Sequence, residues 1–278
     1  MNTKTFSTTA LRFYIMLSLS IVILLLSLVS DFICPYSPYE QNLDIALESP
    51  SAHHIMGTDQ FGRDIFSRVL VGSKISIFSS LAAVVIVTVM GSTLGILSGY
   101  YGSRADSLIM KLCSIFLSFP GLVFALAFSV MTGGGILSAI LSLSLIRWPK
   151  YCRLSRNQTL EVKQNLYIKT AMMSGDSDCQ IIIRHILPNI LDSIIVTSFL
   201  DIGTMMMEMA GLSFLGLGAR APSPEWGSMI NSGRSYLQTS PYLVMCPGLA
   251  IFVCVVVFNL LSDSFRDYIF SIKPLKGK

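Results

Sequence analysis

The chain has 278 residues, 52% of them hydrophobic and only 13% charged, with a mean hydropathy of +0.64. Soluble domains carry about 25% charged residues, so a soluble domain is excluded, and the apolar content excludes a disordered chain. The net charge of +4 is modest and points to no nucleic-acid partner. The six cysteines are too sparse for a disulfide scaffold; Cys113, Cys246 and Cys254 lie in or beside apolar runs and read as small hydrophobes.

About 20 mainly apolar residues cross a bilayer as a helix. Six runs qualify in chain order: Phe13–Val29, Ile75–Leu97, Leu108–Met131, Ile136–Ile146 extended to Gly133–Trp148, Ile190–Leu212 and Pro241–Leu261. The first has a basic approach (Lys4, Arg12) like a signal peptide, but Ser30-Asp31-Phe32-Ile33 offers no small-x-small cleavage site, so an uncleaved span is expected. Pro120-Gly121 should kink or interrupt the third. The fold class is therefore all-α: a polytopic membrane protein of six transmembrane helices with both termini on one side.

Lys and Arg placement sets the orientation. With both termini cytoplasmic, fifteen basic residues lie inside, Arg147 and Lys150 among them. Five lie outside: Arg63, Arg68, Lys74, Arg220 and Arg234. This bias leaves Asp31–Lys74 and Phe214–Ser240 external and makes Pro149–Pro188 a long cytoplasmic loop. Outside, Gln60–Val71 reads as an amphipathic helix lying at the membrane interface, with Asp64 and Arg68 spaced for a local ion pair. Pro222, Pro224 and Trp226 would stiffen the last external loop and anchor it at the membrane surface. His53-His54 reads as a solvated pair, because adjacent histidines diverge and no further ligand completes a metal-binding spacing.

Within the cytoplasmic loop, Glu161–Ser174 has helix-forming composition. Gly175 supplies a left-handed stop, and Ser177-Asp178-Cys179-Gln180 is a capping box that opens a second short helix. Two helices meeting at a glycine turn suit a docking element; an ordinary basic connector is the alternative. No G-x-x-x-x-G-K-[ST] phosphate loop is present, and Gly72-Ser73-Lys74 lacks the earlier glycine. Any ATP hydrolysis therefore belongs to a partner, and the chain itself is no enzyme.

In the fifth span Asp201 and Glu208 stand seven apart on one helix face, with Met205, Met206 and Met209 near them. Carboxylates at that depth should face the bundle interior, another subunit or water. They read either as a polar stripe along a cation pathway, with Asp201, Met205 and Glu208 as its candidate residues, or as structural partners of polar groups on other spans. The methionines read mainly as packing filler.

Four segments carry a resemblance. Tyr167–Pro188, YIKTAMMSGDSDCQIIIRHILP, resembles the cytoplasmic coupling motif of ABC-importer permeases; it keeps Ala171, Gly175, Leu187 and Pro188 and has Lys169-Thr170 where the motif has Glu-Ala. Gly57-Thr58-Asp59-Gln60-Phe61-Gly62-Arg63-Asp64, the segment Leu212–Gly218 with Pro222, Pro224 and Trp226-Gly227, and Phe258-Asn259-Leu260 with Asp263 and Arg266-Asp267 are similar to signatures of the peptide/nickel family. Leu200–Met206 and Ala210-Gly211 look most like nickel-import permeases.

The resemblance implies a type I ABC-importer permease of the bacterial cytoplasmic membrane, transporting nickel or a nickel complex. Import of di- or oligopeptides is the alternative, and a stand-alone secondary transporter or channel is the reading from another class. It implies a second permease subunit, two cytoplasmic ATPase subunits holding ATP and magnesium, an extracytoplasmic substrate-binding protein, and no cofactor on this chain. Lys169, Thr170, Ala171, Met172, Gly175 and Asp176 would couple to the ATPase. Asp59, Arg63, Asp64 and Trp226 would form an external gate or receptor contact. The chain then divides into a tail and first span (1–30), an external segment with the interfacial helix (31–74), a core permease domain (75–267) with the coupling loop 149–188, and a cytoplasmic tail (268–278).

Overall fold

The computed structural model describes residues 3–272, whose regular secondary structure is all helical apart from one isolated bridge between Thr58 and Asp64. Lys273, Lys276 and Lys278, counted above on the cytoplasmic side, lie outside the described residues. The helices are α1 (Thr3–Leu28), α2 (Ser30–Ile33), α3 (Ile65–Tyr101), α4 (Ser103–Leu117), α5 (Gly121–Met131), α6 (Ile136–Lys163), α7 (Leu166–Met173), α8 (Asp178–Ile181), α9 (Leu187–Phe214), α10 (Trp226–Gly233) and α11 (Tyr242–Ile272). The tail expected from residue 268 is thus helical as far as Ile272.

By length and composition, four helical segments of the described residues can cross a membrane: Thr8–Leu28, Ile65–Tyr101, Asp178–Phe214 and Tyr242–Ile269. The bent pair α4–α5 makes a fifth. Its 90° break falls between Leu117 and Gly121, where Pro120 caps α5 and no helical bond can continue. The remaining run, α6, has 28 residues but carries Arg147, Lys150, Arg153 and Arg156 along its length. It packs among the spans, parallel to α3 and antiparallel to α9.

A stripe of small residues holds α6 to α3. Gly91, Gly95 and Gly99 recur every four residues on α3, and a Cβ on Gly91 would sit 2.5 Å from the Trp148 carbonyl oxygen. One on Gly99 would sit 2.9 Å from that of Arg156. Close backbone approach of this kind replaces the hydrophobic driving force that lipid removes. The apolar core lies between α3, α6, α9 and α11, with Ile77, Val87, Leu143, Met205, Leu212 and Phe258 buried in it.

Four sequence expectations change at the membrane boundaries. The expected helix Gln60–Val71 does not form: the helix begins at Ile65 and runs straight into the second span as one 37-residue rod. Asp64 is its N-cap, accepting from the Ser67 amide and hydroxyl at 2.7 Å each and bonding His54 Nδ1 at 3.0 Å. A capping carboxylate cannot also serve Arg68, which instead reaches Asp59 at 3.6 Å and donates to the Pro38 carbonyl at 2.7 Å. On the cytoplasmic side, α6 passes through Pro149 and ends only at Lys163, so the loop proper is far shorter than 149–188. The second loop helix is likewise not separate: α8, a π turn at Ile182–Ile186 and α9 form one continuous 37-residue helix. The wider π turn absorbs the ring and missing amide of Pro188.

Candidate functional site

Three places on the bundle bring chemistry-bearing side chains together. At the cytoplasmic end, α7 is tied down by one residue: Ile168 is fully buried against Ile96, Tyr100, Ile181 and Ile186. The rest of the helix faces outward. Lys169, Thr170 and Met172 are exposed, Ala171 and Asp176 are half-buried, and Leu166 and Met173 are 78% and 89% exposed. Gly175 follows at φ +91°, with nothing within 4 Å of the place a Cβ would occupy. The Ser177–Gln180 capping box forms as the sequence indicates, and Asp178 accepts from the Tyr100 hydroxyl at 2.7 Å. An apolar knob on a braced turn, open to the cytoplasm, is a docking surface in geometry.

At the external end, residues 34–64 fold as a cap over the bundle rather than as an interfacial helix. Asp59 is its hub: it accepts from the Phe61 amide at 2.9 Å, the Arg63 amide at 3.0 Å and the Arg63 guanidinium at 2.7 Å. Asp59, Arg63, Asp64 and Arg68 are all buried. Beside them opens a cavity of about 350 Å³, lined by Arg63, Arg68, Arg220, Asn231 and Ser232 among others. Trp226 does not reach the membrane surface. It is buried, donating from Nε1 to the Val69 carbonyl at 2.9 Å, while its amide donates to Ser76. Glu225 caps the helix behind it through the amides of Gly227 and Ser228, each at 2.9 Å. Burial pushes the Glu225 carboxyl above its usual range, against the pull of those amides.

The third place is at membrane depth. Asp201 is the midpoint of Ile190–Leu212 and is 3% exposed; its Oδ1 takes Lys150 Nζ at 2.6 Å and lies 3.9 Å from Arg147. Glu208, two turns further out, is held by the Arg147 fork: Nε to Oε2 at 2.8 Å, and Nη2 to Oε1. A cavity of about 230 Å³ opens here against the α4–α5 break, lined by Leu117, Gly121, Leu143, Ile146, Arg147, Lys150 and Glu208. Asp201 Oδ2 has no hydrogen-bond partner.

Arg147 and Lys150 were expected on the cytoplasmic side with the loop. They lie inside the span because α6 continues past Pro149, and the carboxylates on α9 neutralise them. Their three-residue spacing on a helix, complementary to Asp201 and Glu208, was the available signal. Met205 does not join the cavity. It is 1% exposed within the apolar core, as are Met206 and Met209 nearby, while Met207 points outward. Of the expected solvated pair, His54 lies tilted against the Tyr36 ring and bonds Asp64, while His53 is exposed.

Residues 91–271 match the family model described as "Binding-protein-dependent transport system inner membrane component", which spans α3 to α11. The chain belongs to this family. It is a permease subunit of an ABC importer and a multi-pass protein of the bacterial inner membrane. The permease is 39% identical to the glutathione transport system permease protein GsiD of Pectobacterium atrosepticum over 261 residues, which cover 92% of this chain and 87% of that one. It is 42% identical to the probable D,D-dipeptide transport system permease protein DdpC of Escherichia coli over 247 residues, covering 89% and 83%. In fold it is similar to a chain from inward-facing conformations of the MetNI methionine ABC transporter. The TM-score there is 0.60 at 16% identity, covering 73% of this permease and 96% of that chain.

Proposed function

We propose that this permease forms half of the translocation pathway of an ATP-driven importer for small peptides, of the glutathione or dipeptide class. The observation that carries the substrate class is the charge balance at the bilayer midplane. Asp201 and Glu208 are matched by Lys150 and Arg147, so the cluster is neutral as it stands. A bare divalent cation arriving there would meet a guanidinium and an ammonium beside each carboxylate, at a depth where unpaired charge is costly. A zwitterionic dipeptide adds no net charge, and glutathione, with two carboxylates and one ammonium, adds a single negative charge and not two positive ones. The names of the relatives, glutathione and D,D-dipeptide permeases, favour peptide over nickel in the same direction.

In this reading a second permease subunit completes the pathway and an external binding protein delivers substrate to the face bearing Asp59, Arg63, Asp64 and the 350 Å³ cavity. Trp226 serves that face indirectly, by fixing α10 to α3. Two cytoplasmic ATPase subunits carry ATP and magnesium, and one of them receives the α7–Gly175 turn. Closure of the ATPases would push on Met172, Met173 and Lys169, and the continuous helix from Asp178 to Phe214 would carry that movement to Asp201 and Glu208.

Reconstitution tests this reading. Both permease subunits, the ATPases and the binding protein are placed in liposomes, and uptake of glutathione, dialanine and Ni²⁺ is compared. ATP-dependent accumulation of a peptide is expected. Accumulation of Ni²⁺ with no peptide uptake would overturn the substrate class, and uptake by this chain without the ATPases would overturn the importer mechanism.

A further inference from the structure

We infer that Arg147 and Lys150 form a recognition site for the carboxylate of the transported peptide, and that Glu208 and Asp201 occupy that site while it is empty. This rests on the peptide reading above. Three observations support it. First, the Arg147–Glu208 contact has the two-pronged geometry in which a guanidinium best receives a carboxylate, through Nε and Nη2 together. Glu208 therefore displays the ligand chemistry the site accepts.

Second, the site is built with room beside it. The cavity of about 230 Å³ has one polar wall, Arg147, Lys150 and Glu208, and an apolar wall of Leu117, Leu143 and Ile146. The α4–α5 break creates this space: an unbroken helix would lay side chains across it, whereas the chain turns by 90° and presents Gly121, whose missing Cβ would lie 3.3 Å from Ile146. Lys150 is half-exposed toward it, while Asp201 is buried.

Third, the cluster has unused hydrogen-bonding capacity. Asp201 Oδ2 has no hydrogen-bond partner although Asp201 is nine-tenths buried, and the neighbouring Tyr151 hydroxyl on α6 is likewise unpaired. A peptide's ammonium group would give that oxygen a charged donor in place of the hydroxyl. Exchange is then isoelectric. The substrate carboxylate takes Arg147 and Lys150, its ammonium takes Asp201 and Glu208, and the charges balance both before and after the exchange. Contacts that are replaced rather than lost allow binding without a deep trap, as transport requires.

The test uses the complete reconstituted importer with dialanine and its C-terminal amide, each presented on saturated binding protein and with uptake expressed per occupied binding protein. The wild type is expected to import the free acid about tenfold or more faster than the amide, the effect of one charge-assisted contact. In the double variant Arg147→Gln with Lys150→Gln that ratio should fall to about one. Arg147→Lys should keep part of the preference. Should the double variant fail to assemble, the swapped pair Arg147→Glu with Glu208→Arg keeps the ion pair but misplaces the cation, and it should also lose the preference. An unchanged acid-to-amide ratio in either variant, or equal rates for both probes in the wild type, overturns the carboxylate site and leaves peptide import standing. Absence of any peptide uptake by the wild type overturns the peptide reading itself.

Discussion

Two ion-pair networks in this permease use the same side chains to opposite ends. In the external cap, both carboxylate oxygens of Asp59 are used: two backbone amides and two guanidinium groups contact it, and Arg63 and Arg68 are themselves buried. At the membrane midplane, Asp201 keeps one oxygen unpartnered, and Lys150 and Glu208 are 50% and 30% exposed at the side chain beside a cavity. A saturated network has a single arrangement and fixes a fold. A network with an unused oxygen, and with flexible members on open space, has alternatives and can exchange partners. The pairing of charges says little about function until the unused hydrogen-bonding capacity is counted.

That contrast breaks most sharply at its saturated end. Asp59→Ala would strand Arg63 and Arg68 in a buried site, and removing one partner from such a cluster costs about 3–5 kcal/mol. The expected outcome is loss of assembled protein, or a large drop in the melting temperature of the purified complex. Unchanged melting would mean that the cap network does not hold the fold.

The same kind of change at the midplane should act differently. Asp201→Asn and Glu208→Gln preserve shape, and Lys150 can extend its stem toward water, so stability should fall by only about 1 kcal/mol. Uptake in the reconstituted importer should fall by about an order of magnitude while assembly survives. Wild-type uptake in both variants would reduce the midplane cluster to a structural one and erase the distinction.

Gly175→Arg probes how movement reaches that cluster. At φ +91° any side chain costs about 1–2 kcal/mol locally, but the surrounding space is open, so the bundle should fold. ATPase subunits should dissociate or hydrolyse ATP without uptake, which co-purification and a coupled ATPase assay would detect. Normal association and uptake would remove the α7 turn from the coupling role. The smallest effect is expected at Trp226→Phe, which deletes a single bond to the Val69 carbonyl and leaves the ring's packing: about 1 kcal/mol, read as a shift of a few degrees in melting. A change in binding-protein affinity without a change in melting would instead give Trp226 a direct role at the external face.

Much of the docking end was legible in the sequence because its signals are local. A capping box spans four residues and a left-handed glycine one, and both Ser177–Gln180 and Gly175 behave accordingly. The external segment was harder. Gln60–Val71 has amphipathic composition, but Asp64-x-x-Ser67 is also an N-cap pattern, and Gly62 at φ +70° stops any helix before it. The cap won because Asp59 and Asp64 found backbone amides to serve. The midplane site was least legible: Arg147 and Lys150 border an apolar run too short to span alone, and basic residues near a loop ordinarily belong to it.

The sequence by itself determined that this chain is a multi-pass membrane protein and where the α7–Gly175 turn falls. Those properties depend on counts, periods and neighbours within a few residues. Only the tertiary structure decided which charges meet. The glycines at 91, 95 and 99 let α6 approach α3 closely enough to run on past Pro149, and that carries Arg147 and Lys150 into the bilayer opposite Glu208 and Asp201. Charge pairing between residues 51 and 61 positions apart depends on how helices stack, and no local pattern encodes that.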